Sequence, residues 1–412
     1  MLRVLSKITF VQQPTTAFPT RNKTLIFNFV NTYEAENSWK DLTDKAKIIL
    51  PKNIYVQDST GKLVSLGAPI GIPDNVNIGG FSSTVPYFLR GDRVTIENGY
   101  AYFDARGNEV FPTNQIFDGY ISKVTSKKPI ELECEDNMWK LKQIMAKNKV
   151  YPAKQFTLEG ILKDMLQGSG FTVNVLTDTS FGDFRTQNET VAEVLARLRK
   201  DYHFESYFRG TELRCGSLVY VEQDAIDDGI KTFQFQRNII SDDLDYRRRD
   251  DIDLSAIAYS INKKELQVRT QSGDVKTKRE RLEVLVIIRP DGTVAKTPRP
   301  PGQKADFAPS TAGERRTLYF WNVTDINTLG SLAANELTKY YYTGFRGKFT
   351  TFGLPFVRQG DNVDILDPVL IERSGRYKVK SVKYSGGVGG LRQVIELDYL
   401  ITRLDPKGNA IT

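Results

Sequence analysis

Stretches in which every second residue is apolar dominate both ends of the chain and predict strands. Lys23-Thr-Leu-Ile-Phe-Asn-Phe-Val30 is one, rich in aromatic and β-branched residues. Ser38 is placed to cap whatever short turn or helix leads through Leu42 and Ala46, and the strand that follows through Ile48 stops at Pro51. Residues Gly67 to Pro86, with Gly-Ala-Pro-Ile-Gly-Ile-Pro-Asp, read as one long loop that is functional or covers a neighbour. Near Tyr151 the period changes. Leu158, Ile161, Leu162, Met165 and Leu166 recur at helical spacing behind Thr157 and stop at Gly168. Val191, Val194, Leu195 and Leu198 do the same behind Thr190, where Glu193 can complete a capping box. A strand over 171–176 and a hairpin turning at Arg209-Gly210 complete a small α/β unit. Strands over 252–261 and 282–288 then flank the polar turn Ser272-Gly-Asp274 and predict a long projecting hairpin. Residues 289–312 read as turn and mobile linker. A last helix, capped by Asp325, buries Leu329, Leu332, Ala333, Leu337 and Tyr340 and ends at Gly344.

One pattern occurs twice. Phe88-Leu-Arg-Gly91-Asp92-Arg-Val94-Thr-Ile96 matches Phe356-Val-Arg-Gln-Gly360-Asp361-Asn-Val363-Asp-Ile365 in its Gly-Asp turn and in the phase of its valine and isoleucine. Downstream, Ile121 and Val124 correspond to Val379 and Val382, and each copy closes on Ile-Glu-Leu, at Ile130 and at Ile395. Three features in one order predict a duplicated β-domain, with Gly91, Asp92, Gly360 and Asp361 as its structural turns. The second copy carries a longer loop, Gly386-Gly-Val-Gly-Gly390, which joins two strands and so is no phosphate cradle. Two such domains per chain in a trimer give six quasi-equivalent units about a threefold axis.

Composition narrows the function classes. The chain has 412 residues, 40% apolar and 11% aromatic, so it can bury cores and is not globally disordered. No apolar run approaches the ~20 residues of a membrane-spanning helix. Met1 to Gln13 lacks the apolar core of a secretory leader, so classical secretion is not expected. Cys134 and Cys215 stand far apart and read as reduced, buried thiols, and His203 is the only histidine, which removes two-histidine metal motifs and most hydrolase templates. No cofactor site is expected. A net charge of +7 is dispersed except at Arg247-Arg248-Arg249, expected to pair with Asp250-Asp251, and between Arg269 and Arg316.

The residues quoted above resemble the phage tail baseplate hub family, which includes late control D proteins and the hub region of type VI secretion spikes. The final 85 or so residues carry the likeness best: Gly347-Lys-Phe-Thr-Thr-Phe-Gly353, Phe356-Val-Arg-Gln-Gly360-Asp361, Gly375-Arg-Tyr377-Lys-Val379 and Ile395-Glu-Leu-Asp398. The first copy joins it through Ser38-Trp39, Gly91-Asp92-Arg-Val94 and Phe117-Asp118-Gly119. The resemblance implies a β-rich α+β chain: a tail-tube-like β-barrel domain over 1–148, a peripheral α/β domain over 149–236, and a second barrel over 237–412 with a basic excursion near 265–312. It implies a structural, non-enzymatic homotrimer in the virion, made in the host cytoplasm. Its partners would be tail-tube or distal tail proteins and a separate spike or fibre-bearing protein, with DNA passing through the lumen and no stable membrane insertion.

Two other readings compete. A cell-wall glycan hydrolase would need paired carboxylates, for which Glu131, Glu133 and Glu135 are candidates, although alternation on one strand face favours a solvated or interface surface. A nucleic-acid-binding protein would combine the basic 269–316 stretch with Tyr340-Tyr341-Tyr342, but helical spacing turns these tyrosines to different faces and favours packing.

Overall fold

The computed structural model describes residues 3–38, 41–52, 55–57, 63–65, 71–78, 81–125, 129–152, 155–176, 183–202, 204–217, 229–249, 254–269, 275–299, 314–321, 323, 325–405 and 408–411. The chain begins with β1 (Arg3–Val11), β2 (Thr24–Phe27), β3 (Thr32–Asn37), β4 (Lys45–Ile49), β5 (Tyr55–Gln57), β6 (Leu63–Ser65), β7 (Gly71–Ile78) and β8 (Phe81–Pro86). Next come β9 (Arg93–Phe103), β10 (Glu109–Val110), β11 (Thr113–Val124), β12 (Glu131–Asp136) and α1 (Met138–Leu141). The middle holds β13 (Lys149–Tyr151), α2 (Leu158–Met165), β14 (Thr172–Val175), β15 (Phe184–Thr186), α3 (Val191–Tyr202), β16 (Phe204–Arg209) and β17 (Glu212–Ser217). Then follow β18 (Lys231–Gln234), β19 (Ile239–Arg247), β20 (Leu254–Arg269), β21 (Val275–Ile288), β22 (Val294–Arg299), β23 (Glu314–Trp321) and α4 (Ile326–Thr338). The chain closes with β24 (Gly344–Phe352), β25 (Asn362–Leu366), β26 (Gly375–Gly387), β27 (Arg392–Leu404) and β28 (Ala410–Ile411).

Fifteen strands form one sheet whose main path runs β19-β24-β27-β26-β3-β4-β12-β11-β9-β1-β2. Both repeats lie within it. The expected pair of separate closed barrels is not what forms: among the described residues the two copies share this sheet. The reason is the length of β26. One side of it pairs with β25 through Gly375 to Lys378 and then with β3 of the first copy through Val382 to Gly387. A single apolar cluster accordingly takes Ile8, Phe10, Val94, Ile96 and Ile121 from the first copy and Val363, Ile365, Val379, Val382 and Ile395 from the second.

A second cluster joins Met138 and Leu141 of α1 to the α/β unit, where Leu158, Ile161, Leu162, Val191, Leu195 and Leu198 are buried. Both helices start as their sequences dictate: the Thr157 hydroxyl accepts from Gly160 N, and Thr190 and Glu193 close a reciprocal capping box at 2.7 and 3.2 Å. A third cluster packs α4 on the sheet β22-β21-β20-β23 through Ala256, Val284, Val286, Leu329, Ala333 and Leu337. Asp325 caps α4 by accepting from Thr328 N at 2.7 Å.

Three local expectations change. Within Gly67 to Pro86, β7 and β8 form a hairpin, because cross-strand pairing overrides a turn-like composition. Val294 to Arg299, expected as linker, is a strand paired with the hydrophobic β21. Leu332 of α4, expected in the buried stripe, is exposed, and the helix ends at Thr338, so that Tyr340, buried as expected, and Tyr342, also buried, lie beyond it.

Candidate assembly interface

The two Gly-Asp turns are built alike. Gly91 and Gly360 adopt φ of +95° and +85°, a left-handed region that a side chain would disfavour. Gly91 N donates to Ile121 O at 2.8 Å and Ile121 N donates to Asp92 O at 2.9 Å; Gly360 N donates to Val379 O at 3.0 Å and Val379 N to Asp361 O at 2.9 Å. Each aspartate also accepts from the backbone N–H three residues before it, Leu89 N to Asp92 Oδ2 and Arg358 N to Asp361 Oδ2, both at 2.8 Å. Immediately beyond, the ladder β11–β12 slips between Ile121 and Lys123, and β26–β27 slips between Val379 and Ser381. A matching bulge in each copy makes Val124 equivalent to Val382. The register also corrects the Ile-Glu-Leu correspondence: Leu132, opposite Val124, is the counterpart of Ile395, opposite Val382, so the short motif is displaced by one strand period.

Cations from elsewhere in the chain neutralise both turns. The Arg21 guanidinium grips Asp92 with Nη1–Oδ1 at 2.9 Å and Nη2–Oδ2 at 2.5 Å, while donating to the Gln13, Pro86 and Tyr87 carbonyls. Lys231 Nζ lies 3.2 Å from Asp361 Oδ2. Nothing in the sequence pattern points to Arg21 or Lys231 as partners.

The two copies share an outer-strand arrangement, whose far side is covered in the first copy and, among the described residues, has no strand on it in the second. In the first copy β12 pairs with β4 and β4 with β3; in the second, β27 pairs with β24 and β24 with β19. Through these registers Glu34 corresponds to Asp243, Ala35 to Leu244, Glu36 to Asp245 and Asn37 to Tyr246. β3 is covered by β26, with Lys383 and Glu34 ion-paired at 2.9 Å across the seam. Gly386 is needed there, since a Cβ would meet the Tyr33 ring. β19 ends the main path of the sheet, and Asp242, Asp243 and Asp245 on it are exposed.

A cavity of about 380 Å³ opens where the copies meet the α/β unit, lined by Asn37, Asp44, Asp118, Asp136, Arg209, Arg358 and Asp361 among others. Burial pushes the Asp44 carboxyl up to about 7, and nearby Glu36 and Asp41 act in the same sense against the hydrogen bond from Ser38 N. Burial, then the Asp44 charge, raises Asp136 as well.

The residues singled out for chemistry are placed as follows. Glu131, Glu133 and Glu135 pair with Lys47, Lys123 and Lys142. Both cysteines are free and buried; burial pushes the Cys215 thiol up to about 12 and raises Cys134 too. Arg247 pairs with Asp245 at 2.6 Å, while Arg248 and Arg249 line a cavity of about 650 Å³ with Tyr246, Tyr341 and Arg403. His203, Asp250-Asp251 and 300–313 lie outside the described residues. Among the described residues, no three His, Cys, Asp or Glu side chains cluster as metal ligands, and no helix is long and apolar enough to cross a membrane.

No protein-family model and no curated protein matches the chain. Among solved structures, it is similar to the 43 kDa tail protein of prophage MuSo2 from Shewanella oneidensis, at 13% identity and a TM-score of 0.49 over 96% of this chain and 98% of that one. It is similar to a tail protein from Neisseria meningitidis MC58, at 11% identity and a TM-score of 0.49 over 96% of each chain. A type VI secretion component from Escherichia coli, itself described as similar to T4 tail proteins gp27 and gp5, aligns at 10% identity and a TM-score of 0.44 over 93% of this chain and 76% of that one.

Proposed function

We propose that this protein is a structural hub of a phage tail baseplate or related injection device, a homotrimer whose six quasi-equivalent β-units adapt a sixfold tube to a threefold spike. The observation that carries the reading is the duplication in three dimensions: two Gly-Asp turns with the same hydrogen bonds, followed by the same bulge. One chain with two equivalent units gives six positions in a trimer, which is what a tube of six and a spike of three both require. Residues 1–148 and 237–412 supply the two tube-like units and 149–236 the peripheral one. Its partners are tail-tube or distal tail proteins and a separate spike or fibre-bearing protein, its place is the virion, and its role is mechanical, with no catalytic step. DNA would cross the lumen without sequence readout.

Native mass spectrometry over a concentration series tests this directly. A species of three times 46.7 kDa is expected, with a central pore by electron microscopy. A strict monomer at every concentration, with and without a tube protein, would sink it.

A further inference from the structure

We infer that a basic cavity in the second unit is a docking site for an acidic loop of a partner protein. The first unit shows what such a place does. Its cavity of about 380 Å³ lies between the end of β3 at Asn37 and the end of β12 at Asp136, and the tip of the β16–β17 hairpin, Tyr207 to Gly210, is set against it. Asn137 Nδ2 donates to Gly210 O at 2.8 Å and holds the tip there. The receiving side carries the acids Asp44, Asp118 and Asp136, and the tip brings Arg209 to them. Arg358 of the second copy adds a further cation.

The second unit has the same place with the opposite charge. Tyr246 on β19 is the counterpart of Asn37, and Leu400, opposite Tyr377, is the counterpart of Asp136, opposite Gly119, because Gly119 and Tyr377 pair with the equivalent Val94 and Val363. Both line the cavity of about 650 Å³, where Arg248, Arg249 and Arg403 face one acid, Glu372, among the described residues. No hairpin of the α/β unit enters it: every described lining residue belongs to the second unit itself. The guanidiniums of Arg249 and Arg403 make no ion pair or hydrogen bond among the described residues. The walls are set in advance, since Tyr246 OH donates to Glu372 O at 3.3 Å, Tyr341 OH to Pro290 O at 2.7 Å and Arg249 N to Thr343 Oγ1 at 3.1 Å. A volume of this size falls within the roughly 300–1,000 Å³ of binding clefts. Guanidiniums take carboxylates and phosphates alike through paired, charge-assisted bonds. The protein hairpin at the matching place in the first unit selects a protein loop over a nucleic-acid strand, and the charge reversal makes that loop acidic.

Fluorescence anisotropy of the full-length protein with a labelled peptide of six glutamates tests this. Arg249→Glu with Arg403→Glu should weaken binding about tenfold or more, because both changes place an acid where the peptide's carboxylates sit. The control is Arg106→Glu with Arg237→Glu, two exposed arginines on other turns that make the same change in net charge and should leave binding close to wild type. Equal weakening by both pairs would mean diffuse attraction and overturn the site, as would no binding up to millimolar peptide. A single-stranded hexanucleotide that displaces the peptide at lower concentration, and loses its own binding in the Arg249 and Arg403 variant alone, would make the ligand nucleic acid and overturn the acidic-loop assignment. None of these outcomes depends on the trimer, so the hub reading stands or falls separately on the oligomeric state.

Discussion

Asp92 and Asp361 do the same work at different cost, because their cations differ in burial. The Arg21 and Asp92 side chains are 0% and 1% exposed, so removing the carboxylate strands a guanidinium in the core. Asp92→Ala should therefore cost about 3–5 kcal/mol, read as a lower urea midpoint. Lys231 Nζ is buried in the fold too, but 15% of its flexible side chain is exposed, which gives the ammonium a route to water once the carboxylate is gone, so Asp361→Ala should cost less. The Asp44–Asp136 pair makes stability depend on pH in the opposite sense to an ordinary ion-paired carboxylate. A carboxyl raised in the fold from 3.8 to about 7 prefers its protonated form there. Its contribution is complete below the unfolded value and is lost as pH rises through about 7. Asp44→Asn keeps an acceptor for Ser38 N and removes the titration. It should raise stability at pH 8 by on the order of 1–3 kcal/mol and change little at pH 4, measured by denaturant midpoints.

At the scale of elements, the β26–β27 hairpin decides how the units join. β11–β12 stops pairing at Val124 and Leu132, whereas β26–β27 continues to Ser385 and Arg392 and so offers an edge for β3. Gly386→Val should force β3 off that edge. The expected result is faster hydrogen exchange at the amides of Thr32 to Asn37, with α2 and α3 unchanged. Elements set by neighbours in sequence were legible: the Thr157 and Asp325 caps, the Thr190–Glu193 box and the two Gly-Asp turns need only side chains within about one helical turn or one tight turn. β7, β8 and β22 were not, because glycine and proline report local backbone freedom, while a strand is made by the partner across from it. The first copy's last strand was matched one period out for a related reason: alternation repeats every two residues, so only the bulge fixes which repeat is equivalent.

For the whole molecule, three separate apolar clusters predict separable stability. Leu195 is fully buried in the α/β unit, and Leu195→Ala should cost about 2–5 kcal/mol there. Calorimetry should show one transition moving down while that of the shared sheet stays in place. Single coincident unfolding of wild type and variant would mean that the clusters melt as one. By itself the sequence determined the β-rich class, the helical insertion and the existence of two equivalent Gly-Asp units, since period, capping and turn chemistry are written within a few residues. Tertiary structure alone decided that the units share one sheet, that Arg21 and Lys231 neutralise their turns, and that β19, the counterpart of β3, has a single strand partner among the described residues. Those outcomes depend on which distant strands meet and in what register, and alternating patterns, alike in many strands, do not encode that choice locally.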